Sequence, residues 1–403
     1  MAGKNGLDRK LIFIARGVPS LGYKTYSLFE GEIEATSPSL KAGEYALEND
    51  YLRVEVNPET GNVSSIYDKS SSTELISGGS EGNRIELFEN LPSSWDAWNI
   101  GYTGRSWIPE KPDSVELIEN GPVRAVIRVK KSHFGLSKAN RAPTSGFPSS
   151  FFTQDIILYA GSQRVDFVLH TDWWEDHVLL KIAFPFAVDS PLATYEIPFA
   201  CVERPTVREE PWQKARFEVS VHRWADLSDG NRGVSLLNES KYGMDTLGGV
   251  MRLTIHTSPI WPDPIADRGK HVCSYAVYPH AGDWRAAGTV RMGQEFNLPL
   301  VARLFTPGEN GELPETLSFA TTGTSNVDLT CLKRSDDGKG YIFRFVETAG
   351  RETEIAATLP AAIVSAEEVN LLENAIGEAR FDYEKLLFTI KPHEVKSFRI
   401  ELQ

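Results

Sequence analysis

The 403-residue sequence is poor in cysteine, in clustered histidine, in long apolar runs and in net positive charge. Its three cysteines, Cys201, Cys273 and Cys331, are odd in number and far apart, which excludes a dense disulfide framework and suits a reducing compartment. None stands at a metal-ligand spacing from another, so all three read as small buried hydrophobes. The eight histidines, at 133, 170, 177, 222, 256, 271, 280 and 393, are scattered singly, with no HExxH and no close His/Asp set of the kind a zinc site needs. His271 and His280, around one strand, are the nearest approach to such a set, and no metal ligand is assigned. The N-terminal apolar run, LIFIA, is too short for a signal core or a membrane span, so a soluble, cytoplasmic protein is expected. A formal charge of −13 disfavours nucleic acid and anionic membrane as partners and leaves a neutral sugar unaffected. There is no P-loop, no GxGxxG after a strand and no GxSxG elbow, and no local triad signature. No catalytic residue is assigned to this chain.

What is present is alternation. Leu52, Val54 and Val56 alternate with Arg53 and Glu55, followed by the turn Asn57-Pro58-Glu59-Thr60-Gly61 and a return strand to Tyr67. The same period of two runs through Val123–Val129, Val165–Leu169, Phe217–Val221, Met251–Ile255 and Tyr275–Val277. Pro and Gly, 23 and 32 in number, fall mainly between these runs, and no window of a dozen residues carries a helical apolar stripe free of them. The fold class is therefore all-β. Residues 1–10 read as a polar leader and 35–44 as a linker, within an N-terminal segment 1–41. A larger unit is expected over 42–284. After Trp284 the chain becomes more polar and a second strand series begins: Val327–Cys331, Tyr341–Phe345 and Phe398–Leu402, separated by the Gly308–Gly311 and Asp336-Asp337-Gly338 turns. That predicts a smaller antiparallel sandwich over 285–403.

Between Asp172 and Asp245, short apolar runs alternate with turns that carry aromatic and charged side chains together, a common way to build a sugar-facing rim. In the Asn90–Asn99 loop, Trp95 and Trp98 flank Asp96: indole faces to stack on a sugar ring and a carboxylate to accept its hydroxyls. The competing assignment has both indoles plugging the core and Asp96 capping a turn. The cluster Asp172–His177 is acidic, but adjacent residues of an extended chain point to opposite faces. Glu175 and Asp176 therefore make a poor pair for a glycosidase, which sets its carboxylates roughly 5–9.5 Å apart across the scissile bond. A polar connection between strands describes that cluster better.

The blocks KIAFPF, YEIPFACVERPT, HRWADLSDGNRGVSLLNESKYGMD and PIWPDPIADRGKHVCSYAVYPHAGDW resemble the C-terminal β-rich half of the α-mannosidases of glycoside hydrolase family 38. VPSLGYKTY, NPETGNVSSIYDK and GNRIELFENLPSSWDAWNI extend the likeness upstream; VETAGRETEIAATL and LFTIKPHEVKSFRIEL extend it downstream. It covers nearly everything from Leu11 onward, in order. The resemblance implies a galactose mutarotase-like supersandwich followed by an independent sandwich. It implies a retaining exo-hydrolase of α-linked mannose whose nucleophilic aspartate and zinc belong to an N-terminal barrel with no counterpart here. This chain would brace that barrel, line one wall of the sugar pocket, and be inactive alone, with no cofactor of its own. The turn Asn238–Asp245 would lean toward the pocket, placing Lys241 and Tyr242 within reach of sugar hydroxyls; otherwise it is an exposed hairpin turn held by Gly243. Its expected partners are a mannose-containing oligosaccharide and the barrel, with homo-oligomers left open. Two rivals stand beside this: a free-standing carbohydrate-binding module, and a mutarotase-like isomerase, which needs a histidine acid and a glutamate base converging on the concave face.

Overall fold

The computed structural model describes residues 11–29, 39–109, 111–133, 150–306 and 312–403. The leader 1–10, residues 35–38 of the expected linker and the Gly308–Gly311 turn lie outside them; the rest of that linker is structured instead, with Leu40 in the core and Lys41–Ala42 paired as a strand. The chain is all-β, as the alternating runs require, and divides into two compact units.

In the larger unit, residues 35–197 and 201–299, a nine-stranded sheet faces a six-stranded one, with a five-stranded sheet alongside. The nine-stranded sheet runs, edge to edge, through Ala200–Pro205, Leu192–Ile197, Trp224–Ser228, Arg232–Asn238, Gly269–Ala281, Val165–Trp173, Ser150–Tyr159, Arg124–His133 and Ser114–Asn120. The six-stranded sheet runs through Val219–Ser220, Gly243–Leu247, Val250–His256, Val178–Pro185, Arg84–Asn90 and Tyr102–Trp107. Residues predicted to point inward do so: Val165, Phe167 and Leu169 meet Leu180, Ile182, Phe184 and Leu253 in one core. Phe167 stacks on Tyr275 at 5.2 Å and meets the edge of Phe184 at 5.5 Å. This is the supersandwich.

The strand Val178–Pro185 is buried on both faces. Its core-facing residues are apolar, but Lys181 on the other face is wholly buried and needs charged partners. It has them: its amine reaches Glu218 and, at 2.6 Å, Asp245. Asp245 also accepts from Arg208 at 3.2 Å and Arg252 at 3.4 Å, and Arg252 bonds Glu86 at 2.7 Å. Burial opposes the charge on Lys181, but the two carboxylates outweigh it and raise its pKa.

The larger unit extends through Pro299 rather than ending at Trp284. A helix, Thr289–Asn297, packs Val290, Met292 and Phe296 on a second small core of Trp224, Leu237, Ala276, Tyr278 and Trp284. At nine residues it is too short for a dozen-residue window to register.

The smaller unit pairs a five-stranded sheet (Val327–Arg334, Tyr341–Glu347, Val395–Leu402, Ile363–Val369, Ala375–Glu378) with a three-stranded one (Thr353–Thr358, Lys385–Ile390, Arg380–Asp382). Phe343, Phe345, Ile355, Leu386, Phe398 and Ile400 form its own core. Gly22–Lys24 pairs antiparallel with Thr316–Ser318 in the same unit.

Candidate functional site

Register builds the site. Val178 lies opposite Glu89, and Leu180 lies opposite His256, so three connections leave the six-stranded sheet side by side. They are the loop 91–101, the turn 174–177 and the long connection 257–268. Hydrogen bonds lace them together. Asn90 N donates to His177 O at 2.7 Å, His177 N to Ser258 O at 2.8 Å, and Asn90 Nδ2 to Thr257 O at 3.0 Å. Asp267 accepts from the amides of Thr257 and Ser258 at 3.1 and 2.7 Å.

On this base stand three half-exposed indoles. Trp95, Trp98 and Trp261 are 59%, 67% and 48% exposed, with ring centroids 6.2, 5.3 and 5.7 Å apart. Burial of the indoles in the sandwich core, the competing assignment, is thereby excluded. Asp96, between the first two, is turned inward to His177 Nε2 at 2.8 Å and also accepts from Ile260 N at 3.4 Å. The bond from His177 holds the Asp96 carboxyl below its usual range despite partial burial. Trp95, His177 and Ser258 all sit in the left-handed backbone region, at φ of 61°, 56° and 53°. Such strain costs on the order of 1–3 kcal/mol per residue and persists where the surroundings over-determine it.

The sequence named Trp95, Asp96 and Trp98; the structure joins them to His177 and Trp261. Trp261 was missed because it lies far along the chain, though WPDP in PIWPDPIADRG carried the same aromatic-plus-carboxylate signal. Of the acidic cluster, Asp176 is taken by Arg268 at 2.6 Å and Glu175 is buried, accepting from Ser150 Oγ at 3.3 Å. Both are structural connections. Lys241 donates its amine to Ile255 O at 3.1 Å, at the strand end that leads into the third connection. Tyr242 is exposed, its ring 5.6 Å from His222. Lys241 and Tyr242 make no contact with the three indoles among the described bonds and ring pairs.

No group of three or more His, Cys, Asp or Glu among the described residues could hold a metal. His271 and His280, nine positions apart on one strand, point to opposite faces; His280 pairs with the buried Asp226 at 2.7 Å. His271 and His280 therefore do not converge on one site. For the isomerase, His133 and Glu175 come within electrostatic range of each other, but Glu175 is buried rather than presented on an open face.

Residues 47–265 match the model of the glycosyl hydrolases family 38 C-terminal domain, and 326–398 that of the family 38 C-terminal beta sandwich domain. The chain belongs to glycoside hydrolase family 38. It is similar to alpha-mannosidase G of Dictyostelium discoideum, at 33% identity over 89% of this chain and 32% of that protein. It is similar to mouse alpha-mannosidase 2C1, at 31% over 90% of this chain and 34% of that protein. The chain thus spans about a third of the curated family 38 relatives it matches. An alpha-mannosidase structure from Enterococcus faecalis shares the fold, with a TM-score of 0.79 and 18% identity over 94% of this chain and 45% of that one.

Proposed function

We propose that this chain is the C-terminal portion of a retaining α-mannosidase, in which the tryptophan rim faces the catalytic barrel and forms one wall of the sugar pocket. The observation that supports it best is the convergence of Trp95, Trp98 and Trp261 over the Asp96–His177 pair. Isolated proteins rarely hold three indoles half out of water on a hydrogen-bonded and strained base without something to cover them. Apolar ring faces suit the CH-rich face of a mannose unit. The nucleophilic aspartate and the zinc that the family resemblance implies would be supplied outside this chain. This chain's own residues bind and orient, and such binding alone does not lower the chemical barrier.

The expected result is that the purified chain shows no turnover of an aryl α-mannoside, with or without zinc, and that turnover appears when it is joined to a family 38 barrel and helical bundle. In that joined enzyme, Trp95→Ala with Trp98→Ala should lower kcat/KM about tenfold or more. Turnover by the chain alone that survives repurification, with stoichiometric zinc, would move the active site into this chain. Unchanged kcat/KM in the double variant would remove the rim from the pocket. Saturable mannoside binding by the isolated chain, lost in the same variant, would favour the free-standing module.

A further inference from the structure

Away from the tryptophan rim, the segment that follows the strand Ala200–Pro205 folds so that three arginines open into one cleft. Arg204, Arg208 and Arg216 line it with Tyr195, Trp212 and Asp245. Its enclosed part holds about 20 Å³, room for one or two water-sized groups, and its mouth opens beside Trp212, which is 51% exposed.

The charges here do not balance internally. Asp245 is the only carboxylate among the described lining residues, and it answers Arg208 at 3.2 Å, while Lys181 and Arg252, which also reach it, have Glu218 and Glu86 as further partners. Arg204 lies 4.7 Å over the Tyr195 ring and donates to Ser220 O at 3.3 Å; Arg216 lies 5.1 Å over Trp212. Neither has a carboxylate partner among the described residues. Glu203, Glu209 and Glu210 are near in sequence, but they are exposed and form no described ion pair with these arginines. Burial depresses the pKa of Arg204; Tyr195 opposes that effect and the charge of Arg216 adds to it. Arg204 and Arg216 thus present two guanidinium groups with no carboxylate from the cleft in a protein of net charge −13.

We propose that this cleft binds a phosphoryl dianion, with two of its oxygens entering among the guanidinium groups and any organic substituent lying at the mouth against Trp212. A neutral sugar would leave the charge unanswered, and a monocarboxylate brings one charge and two oxygens. A phosphoryl group brings two charges to the two guanidinium groups that lack a carboxylate, Arg204 and Arg216, and a third terminal oxygen toward Arg208, which Asp245 already holds. The indole and phenol faces beside the mouth suit an organic ester. This inference is independent of the tryptophan rim and of the family reading.

The test is titration calorimetry and thermal melting of the whole chain at constant ionic strength in chloride, with inorganic phosphate, a hexose 6-phosphate and mannose as probes. Both phosphates should bind and raise Tm, and mannose should do neither. Tighter binding of the hexose phosphate, reduced by Trp212→Ala to the level of inorganic phosphate, identifies an ester as the source. Equal binding of the two identifies free phosphate. Arg216→Ala, at an exposed position where folding is not at stake, should weaken both about tenfold, the loss of one charge-assisted pair. Three results would overturn the proposal: no phosphate-specific shift beyond chloride, an undiminished shift in Arg204→Ala/Arg216→Ala, or binding of poly-glutamate without binding of either phosphate.

Discussion

Lys181 and Lys131 are almost wholly buried, at 0% and 1% exposure, yet their surroundings act on them in opposite directions. Lys181 is clamped between Glu218 and Asp245 and stays charged. Among the described residues Lys131 bonds Asn62 Oδ1 at 2.7 Å and Pro109 O at 3.5 Å, neither a carboxylate, and burial prevails over the pull of Glu81 and brings its pKa down to about 8. Lys181→Met should therefore cost about 3–5 kcal/mol, because it leaves the enclosed Glu218 without its cation and takes one of three cations from Asp245. Lys131→Met removes a poorly compensated buried charge and should stay within about 1 kcal/mol of neutral. Urea denaturation of the two variants checks the contrast, and equal losses would refute it. His256 gives a pH effect of known sign. Burial first, then Lys241 and His271, lowers its pKa from 6.5 to about 3 in the folded chain. The unfolded chain thus binds a proton that the folded one refuses, and stability falls as pH drops from about 6.5 toward 3, by up to ~1.4 kcal/mol per pH unit. His256→Gln should narrow the Tm gap between pH 7 and pH 5; an unchanged gap would assign the acid sensitivity elsewhere.

Among the elements, the loop 91–101 depends on how closely its two ends approach. Leu91 N donates to Gly101 O at 2.8 Å and Gly101 N to Asn90 Oδ1 at 2.8 Å. A Cβ on Gly101 would come within 2.3 Å of Leu91 O, a backbone atom that cannot swing away. Gly101→Ala should therefore cost about 1–3 kcal/mol and open the Trp95–Trp98 loop to limited proteolysis. Wild-type resistance in the variant would show that the loop is held from elsewhere. This element also marks where sequence reading stops. The alternation at Leu52–Val56 and Val165–Leu169 predicted strands and their inward faces, because period two is a local property. Val327, Leu329 and Cys331 alternate as well, but a register shift falls between Leu329 and Cys331 that alternation cannot foresee. The Trp95–Asp96–Trp98 group was legible because its residues are neighbours. Its completion by His177 and Trp261 was not, since that follows from which strands pair and in what register. The helix Thr289–Asn297 escaped because its few apolar contacts meet a small separate core.

For the molecule as a whole, the two large cores have no residue in common. Scanning calorimetry of the full chain should resolve two transitions. Phe343→Ala, which empties a site 1% exposed in the smaller sandwich, should lower one of them by the equivalent of about 3–5 kcal/mol and leave the other in place. A single transition moving as a unit would show that the cores unfold together. The division into a large and a small β unit was legible from the change in strand pattern, whereas the extension of the larger unit through Pro299 depends on helix packing that no pattern announces. The tryptophan rim has one further consequence, an optical one. Indole rings with centroids 5.3–6.2 Å apart and planes inclined by 57–76° carry transition dipoles close enough to couple, and should add a pair of oppositely signed bands to the circular dichroism of the β backbone. Trp224 and Trp284, at 5.1 Å, form a second coupled pair, but they are sealed in the interior and should contribute a constant background. The variable part of the signal then belongs to the exposed trio, giving the protein a built-in, dye-free reporter of whether that surface is covered.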